Sequence, residues 1–205
     1  MEAERARAAK SVEGGKQKKA AVALILYERD GEPWVLFTRR TERVADHKGQ
    51  ICFPGGSQDP ADASLVDTAL REAWEELGID PSRLRVVAGL EPVFTVVTRY
   101  VIAPFVAYTP RRPEIRPDAF EVAEVIDVPI AALLDPAIQR VEVWDSHGVP
   151  RNVYFYQYGE HNVWGATARI LKQFLDRCYT PEWWRAVVRG EVEYHPPTDV
   201  PPTPV

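Results

Sequence analysis

The segment FPGGSQDPADASLVDTALREAWEELGI, residues 53–79, constrains this chain more than any other stretch. Residues 66–77 place Ala69, Leu70, Ala73 and Leu77 at the spacings of a helix with one apolar face, and Gly78 stands where such a helix stops. Glu72, Glu75 and Glu76 fall at i, i+3 and i+4, which gathers three carboxylates into an arc of roughly 100°. Like charges at that spacing oppose helix formation by about a few tenths of a kcal/mol. Two readings account for them: a solvated acidic face, or ligands for a hard divalent cation such as Mg²⁺ or Mn²⁺, which prefers oxygen and bridges carboxylates to phosphates. The preceding Gly55-Gly56 lets the backbone approach a ligand or the helix closely. With the apolar face laid on a sheet, the carboxylates point into a cleft.

The rest of the chain supplies that sheet. AVALILY (21–27) and WVLFTRR (34–40) read as strands joined through the turn dipeptide Asp30-Gly31. Further strand-like runs cover 50–53, 84–90, 93–97, 100–108, 121–128, 140–144 and 152–158, with helices over 164–178 and 181–190 and a short one over 129–134. Strands outnumber helices in a mixed order, which predicts an α+β or α/β sandwich. Residues 1–19 are charged and aperiodic and are expected to form a disordered arm. Residues 191–205, ending in a Pro-rich run, are expected to form a tail, and 20–190 read as one domain.

Composition narrows the function. A net charge of −5 argues against a duplex nucleic-acid binder that relies on phosphate neutralisation. No apolar run approaches membrane-spanning length, and the N-terminus lacks a secretory core, so the expected location is the cytoplasm. Cys52 and Cys178 form no spacing motif for a disulfide framework or a zinc site. Trp164 and the Tyr154-Phe155-Tyr156 run are core residues or a stacking surface. Trp183 and Trp184 pack a terminal helix or join two copies in a homodimer.

Residues 71–79, REAWEELGI, fit REUxEExGU at every fixed position, with Ala73 and Ile79 at the apolar U places. That is the second half of the Nudix box, and on it the chain resembles the Nudix hydrolases. The first half departs. The family has Gly, five residues, Glu, seven residues, Arg; here the acid after Gly56 is Asp62, and eight residues separate it from Arg71. Upstream, LFTRRTERVADHKGQICFPGG (36–56) resembles the signature that precedes the box in coenzyme A diphosphatases. Leu36, Phe37, Thr38, Arg40, Gly49 and Phe53 to Gly56 match, whereas Thr41 replaces Ser or Ala and Ala45 stands in place of Arg.

The resemblance implies an α/β/α sandwich with a mixed sheet and a catalytic loop-helix-loop. It implies a metal-dependent hydrolase with a small-molecule substrate: coenzyme A or a derivative, cleaved to 3′,5′-ADP and 4′-phosphopantetheine. The alternatives are another nucleoside diphosphate derivative (an ADP-sugar or a dinucleotide) and a nucleotide-binding domain without turnover. Glu72, Glu75 and Glu76 would hold Mg²⁺ or Mn²⁺. Glu75 is the general base favoured within the helix, with Glu114, Glu121 or Glu124 as loop alternatives. Arg71 would orient the loop acid. Arg40, His47 and Lys48, with the Gly55-Gly56 backbone, would meet substrate phosphates, and Arg99 and Arg169 are further cationic candidates.

Overall fold

The computed structural model describes residues 18–44, 46–95, 100–146 and 148–195. Its centre is strand β1 (Lys18–Arg29), whose middle is buried on both faces. Ala21, Ala23, Ile25 and Tyr27 point one way, Leu24 and Leu26 the other, as the two-residue period of a strand requires. β1 pairs antiparallel with β2 (Glu32–Arg40), and the turn between them places both Asp30 and Gly31 at positive φ. On its other side β1 runs parallel to β7 (Tyr100–Thr109) along ten register pairs. β7 carries β5 (Arg85–Gly89) and β6 (Val93–Phe94) beyond it, while β8 (Val122–Pro129) flanks β2. Two short strands, β3 (Ile51–Cys52) on β2 and β4 (Gly55–Ser57) on β1, complete a mixed eight-stranded sheet.

One face is covered by helix α1 (Leu65–Leu77), which starts at a Ser64 cap on the Asp67 N–H and stops at Gly78 with φ 65°. Its Ala69 and Ala73 meet Ala21, Ala23, Ala103 and Ala107 of the sheet. Small side chains on both sides let the helix lie close to the strands. The opposite face carries a three-stranded antiparallel sheet, β9 (Gln139–Ser146), β10 (Val149–Tyr158) and β11 (His161–Trp164), together with helices α3 (Gly165–Arg177) and α4 (Pro181–Val188). The one-turn helix α2 (Ile130–Leu133) follows β8. Phe174 and Leu171 of α3 and Trp184 of α4 pack with Leu24, Phe37 and Tyr108. The result is the expected α/β/α sandwich.

The packed chain extends past 20 and 190. Lys18 and Lys19 belong to β1, and Val192 and Tyr194 pack on the body, Tyr194 edge-on to Phe105. Residues 1–17 and 196–205 lie outside the described residues. Residues 55–57, whose Gly55-Gly56 reads as a place of close backbone approach, form a strand, and β11 carries no periodic signal long enough to show in the sequence. Among the described residues no helix is long and apolar enough to cross a membrane.

The alanine seam sets a testable limit. Ala73 is fully buried, so Ala73→Leu forces α1 off the sheet. The expected cost is about 1–3 kcal/mol, read as a lower urea midpoint at unchanged slope.

Candidate active site

The i, i+3, i+4 acids leave helix α1 in three different environments. Glu76 turns to the buried side and is 2% exposed. Its Oε1 accepts one long hydrogen bond from the Gly55 N–H (3.4 Å), and the Arg40 guanidinium stands 3.8 Å away. Burial pushes its carboxyl up to about 8; Gly55 and Arg40 offset this in part, while the charges of Glu72 and Glu121 add to it. Glu72 lies at the rim and is raised by burial too, against the pull of Arg71 at 3.0 Å. Glu75 is the outermost, its side chain 54% exposed and bonded to Arg71 at 2.7 Å.

The backbone of β4 forms the wall facing these acids, and glycine is required there by space. A Cβ on Gly55 would lie 2.4 Å from the Ala21 carbonyl, and one on Gly56 would lie 2.5 Å from Glu72 Oε1. The first collision is with backbone and cannot be relieved cheaply. The second is with a side-chain end that would have to move.

Arg71 ties the loop to the helix. Its Nε and Nη2 donate to the two oxygens of Asp62 at 2.9 and 3.1 Å, and Nη2 also reaches the Ser57 carbonyl at 3.0 Å. Asp62 further accepts from the Asp59 N–H and the buried Thr68 hydroxyl. These bonds, Arg71 foremost, hold its carboxyl down at about 2. The shorter acid and the extra residue therefore still permit the Asp62–Arg71 pair.

A second loop closes the site. The Arg116 N–H donates to the Leu77 carbonyl and the Asp118 N–H to the Glu76 carbonyl, capping the end of α1. The same loop carries Glu121, whose negative charge adds to the rise of the Glu72 and Glu76 carboxyls. Of Glu114, Glu121 and Glu124, Glu121 is thus the one whose charge bears on both acids, and Glu124 belongs to β8 rather than to a loop. Glu114 pairs with Arg116 at the surface, and Glu124 with Arg39.

The remaining candidates disperse. Arg40 reaches the cluster. His47, at φ 58°, bonds Gln50, and it lies with Lys48 on an exposed turn where, among the described residues, neither bonds to the carboxylates. Arg169 is exposed on α3, and Arg99 and Ala45 lie outside the described residues. Phe155 and Tyr156 are buried, with Trp164 and Trp144 against Phe155; Trp184 meets Tyr108 edge-on and Trp183 meets Phe174. Cys52 is tucked against Thr38, and burial lifts its thiol to about 11. Thr68, as a donor to Asp62, gave no sequence signal, since a helix-interior threonine reads as neutral.

Among the described residues no three acidic, histidine or cysteine side chains already close on one point as metal ligands. Arg71 holds Glu75 and Glu72 instead of leaving them convergent. The donor set still fits a hard divalent cation: it is all oxygen, and the buried Glu76 has only a long N–H bond and a distant guanidinium to balance its charge.

Comparison with known proteins identifies the family. The NUDIX domain model matches residues 17–151. The chain is 36% identical over 146 residues to the uncharacterized Nudix hydrolase NudL of Photorhabdus laumondii, covering 71% of this chain and 78% of that protein. It is 38% identical over 159 residues to its counterpart in Cronobacter sakazakii, covering 77% and 81%. Among solved structures, a MutT/nudix family protein from Enterococcus faecalis superposes with a TM-score of 0.53 at 15% identity, over 84% of this chain and 68% of that one, a likeness of fold.

Two outcomes follow from the clamp and the wall. Asp62 stays ionised in the folded chain down to about pH 2, whereas the unfolded chain takes up that proton near 3.8. Its contribution to stability is therefore present above 3.8 and lost as pH falls toward 2. Asp62→Asn should lower the urea midpoint at neutral pH and flatten this acid limb; an unchanged limb contradicts the pairing. Gly55→Ala should cost about 1–3 kcal/mol or more, whereas Gly56→Ala should stay folded and lose activity through displacement of Glu72.

Proposed function

The chain belongs to the Nudix family, and on that premise we propose that it hydrolyses the diphosphate bond of coenzyme A or its derivatives, giving 3′,5′-ADP and 4′-phosphopantetheine. The observation that carries the reaction type is the buried Glu76, one helical turn from Glu72 and facing the Gly55-Gly56 backbone. The substrate rests on the upstream residues Leu36, Phe37, Thr38, Arg40 and Gly49, which resemble the coenzyme A diphosphatase signature. Ala45, in place of the Arg of that signature, favours the second reading: another nucleoside diphosphate derivative such as an ADP-sugar or a dinucleotide.

Glu72 and Glu76 would hold Mg²⁺ or Mn²⁺, with Glu75 able to join once released from Arg71. When bound, the cation neutralises the diphosphate and lowers the pKa of water. The protein's own groups supply the rest. Gly56 keeps a side chain away from Glu72, and the Gly55 N–H faces Glu76, so this backbone is the surface against which the diphosphate would lie. Arg40 faces the same space and carries the positive charge that an anionic substrate needs in a protein of net charge −5. Water adds to one phosphorus, the bridging P–O bond breaks, and the water proton passes to a carboxylate. Glu121 suits that role better than Glu75, because Glu75 is engaged by Arg71 at 2.7 Å whereas Glu121 stands on a loop anchored to the end of α1. Arg71 positions Glu72 and Glu75 from the loop side.

Glu76→Gln should lower kcat by at least about 10²-fold with the fold retained. Glu121→Gln should lower it by about 10²–10⁴-fold, with an unchanged thermal midpoint showing that the fold is kept. The substrate is tested by chromatography of products after incubation with coenzyme A, ADP-ribose or a diadenosine polyphosphate. Release of 3′,5′-ADP and 4′-phosphopantetheine, abolished by chelator, supports the proposal. Intact coenzyme A beside a cleaved dinucleotide or ADP-ribose overturns the substrate and keeps the reaction.

A further inference from the structure

We propose that Asp118 and Thr41 are positioning residues for Glu121, holding its backbone from two sides and tying it to the turn of α1 that carries Glu76. The inference rests on the reading of Glu121 as the carboxylate that takes the water proton, and extends it. Glu121 closes the loop before β8, and Phe120 beside it is 59% exposed, so burial does not hold this turn. Hydrogen bonds do. Asp118 Oδ1 accepts from the Phe120 N–H at 2.6 Å and from the Glu121 N–H at 3.2 Å. From the other side, the Thr41 hydroxyl donates to the Phe120 carbonyl at 2.5 Å and the Thr41 N–H to the Glu121 carbonyl at 2.9 Å. All four backbone polar groups of the two residues are thereby bonded.

Both grips lead back to Glu76. The Asp118 N–H donates to the Glu76 carbonyl at 2.9 Å, so one residue bonds the backbones of the helix acid and of the loop acid. Thr41 follows Arg40, whose guanidinium stands 3.8 Å from Glu76. The register of β2 on β8 shifts at that point: Arg39 faces Glu124, Arg40 faces Val122, and Ala123 is left between them. Such an irregularity re-aims the end of a strand, and here the next N–H, that of Thr41, meets Glu121. A carboxylate that takes a proton must stand within hydrogen-bond reach of the water, and a misplacement of about 1 Å can cost about 10²-fold in rate. Neither Asp118 nor Thr41 needs to touch substrate to have that effect. What each supplies is specific: an oxygen acceptor at 118 and a hydroxyl donor at 41. Asparagine and serine keep these groups, whereas alanine and valine do not.

The test is steady-state kinetics of the full chain on whichever of coenzyme A, ADP-ribose and a diadenosine polyphosphate it cleaves. Asp118→Ala and Thr41→Val should each lower kcat about tenfold or more with KM within about twofold, while Asp118→Asn and Thr41→Ser stay within about threefold of the wild type. In a Glu121→Gln background, Asp118→Ala and Thr41→Val should lower kcat no further. Thermal midpoints check folding; if Asp118→Ala fails to fold, Thr41→Val beside Thr41→Ser decides alone. With Glu121→Gln itself impaired, four results would each overturn the positioning role and leave Glu121 as the base. These are an unchanged kcat in the Ala and Val variants, a loss carried by KM instead, no rescue by Asn and Ser, or losses that multiply with that of Glu121→Gln. A Glu121→Gln variant as active as the wild type rejects the base and the positioning role together. Cleavage of none of the three substrates rejects the hydrolysis reading and this inference with it.

Discussion

The guanidinium of Arg71 is the joint on which the site depends. It donates to Asp62, the Ser57 carbonyl and Glu75 and pairs with Glu72, all at 2.7–3.1 Å, so one side chain fixes the loop after β4, the strand itself and two acids of α1. Only a planar fork with five donors can serve so many oxygens at once; a lysine in that place would leave most of them unmet. The Asp62 side chain is only 5% exposed, so losing Arg71 would leave that carboxylate with the Asp59 N–H and the Thr68 hydroxyl alone. The clamp is thus part of the fold and of the site together.

A second constraint is closeness. Alanines at 21, 23, 69, 73, 103 and 107 bring α1 down onto β1 and β7, and that approach carries Glu76 into the protein. The same approach leaves no room for a side chain at Gly55 or Gly56. A carboxylate with little compensation destabilises the folded chain, and such a cost persists where function requires it. The arrangement is consistent with a site that waits for a positive charge from outside.

Much of this was legible in the sequence, for local reasons. The apolar period over residues 66–77, the Ser64 cap and the Gly78 stop define α1 without reference to anything distant. Asp30-Gly31 announces its hairpin through the positive φ it can adopt. What was not legible depends on partners far away in the chain. Residues 55–57 become a strand because β1 offers its edge, not because Gly-Gly-Ser favours one. Glu121 is singled out from Glu114 and Glu124 by the docking of the 110–121 loop on the end of α1. Glu75 and Glu76 stand at the two ends of the helical arc, and the docking of α1 decides that Glu76 is the buried one and Glu75 the exposed one on Arg71. Tyr194 joins the core across residues that read as the start of a loose tail.

The central claim is that the buried carboxylate group exists to hold a divalent cation. The most direct measurement is calorimetric titration of Mn²⁺ into the metal-free protein at neutral pH, beside Glu72→Gln and Glu76→Gln. The account predicts saturable binding to the wild type, proton release as Glu76 gives up its proton, and loss of both signals in the Glu76 variant. Absence of Mn²⁺ binding, or binding indifferent to both substitutions, would contradict it.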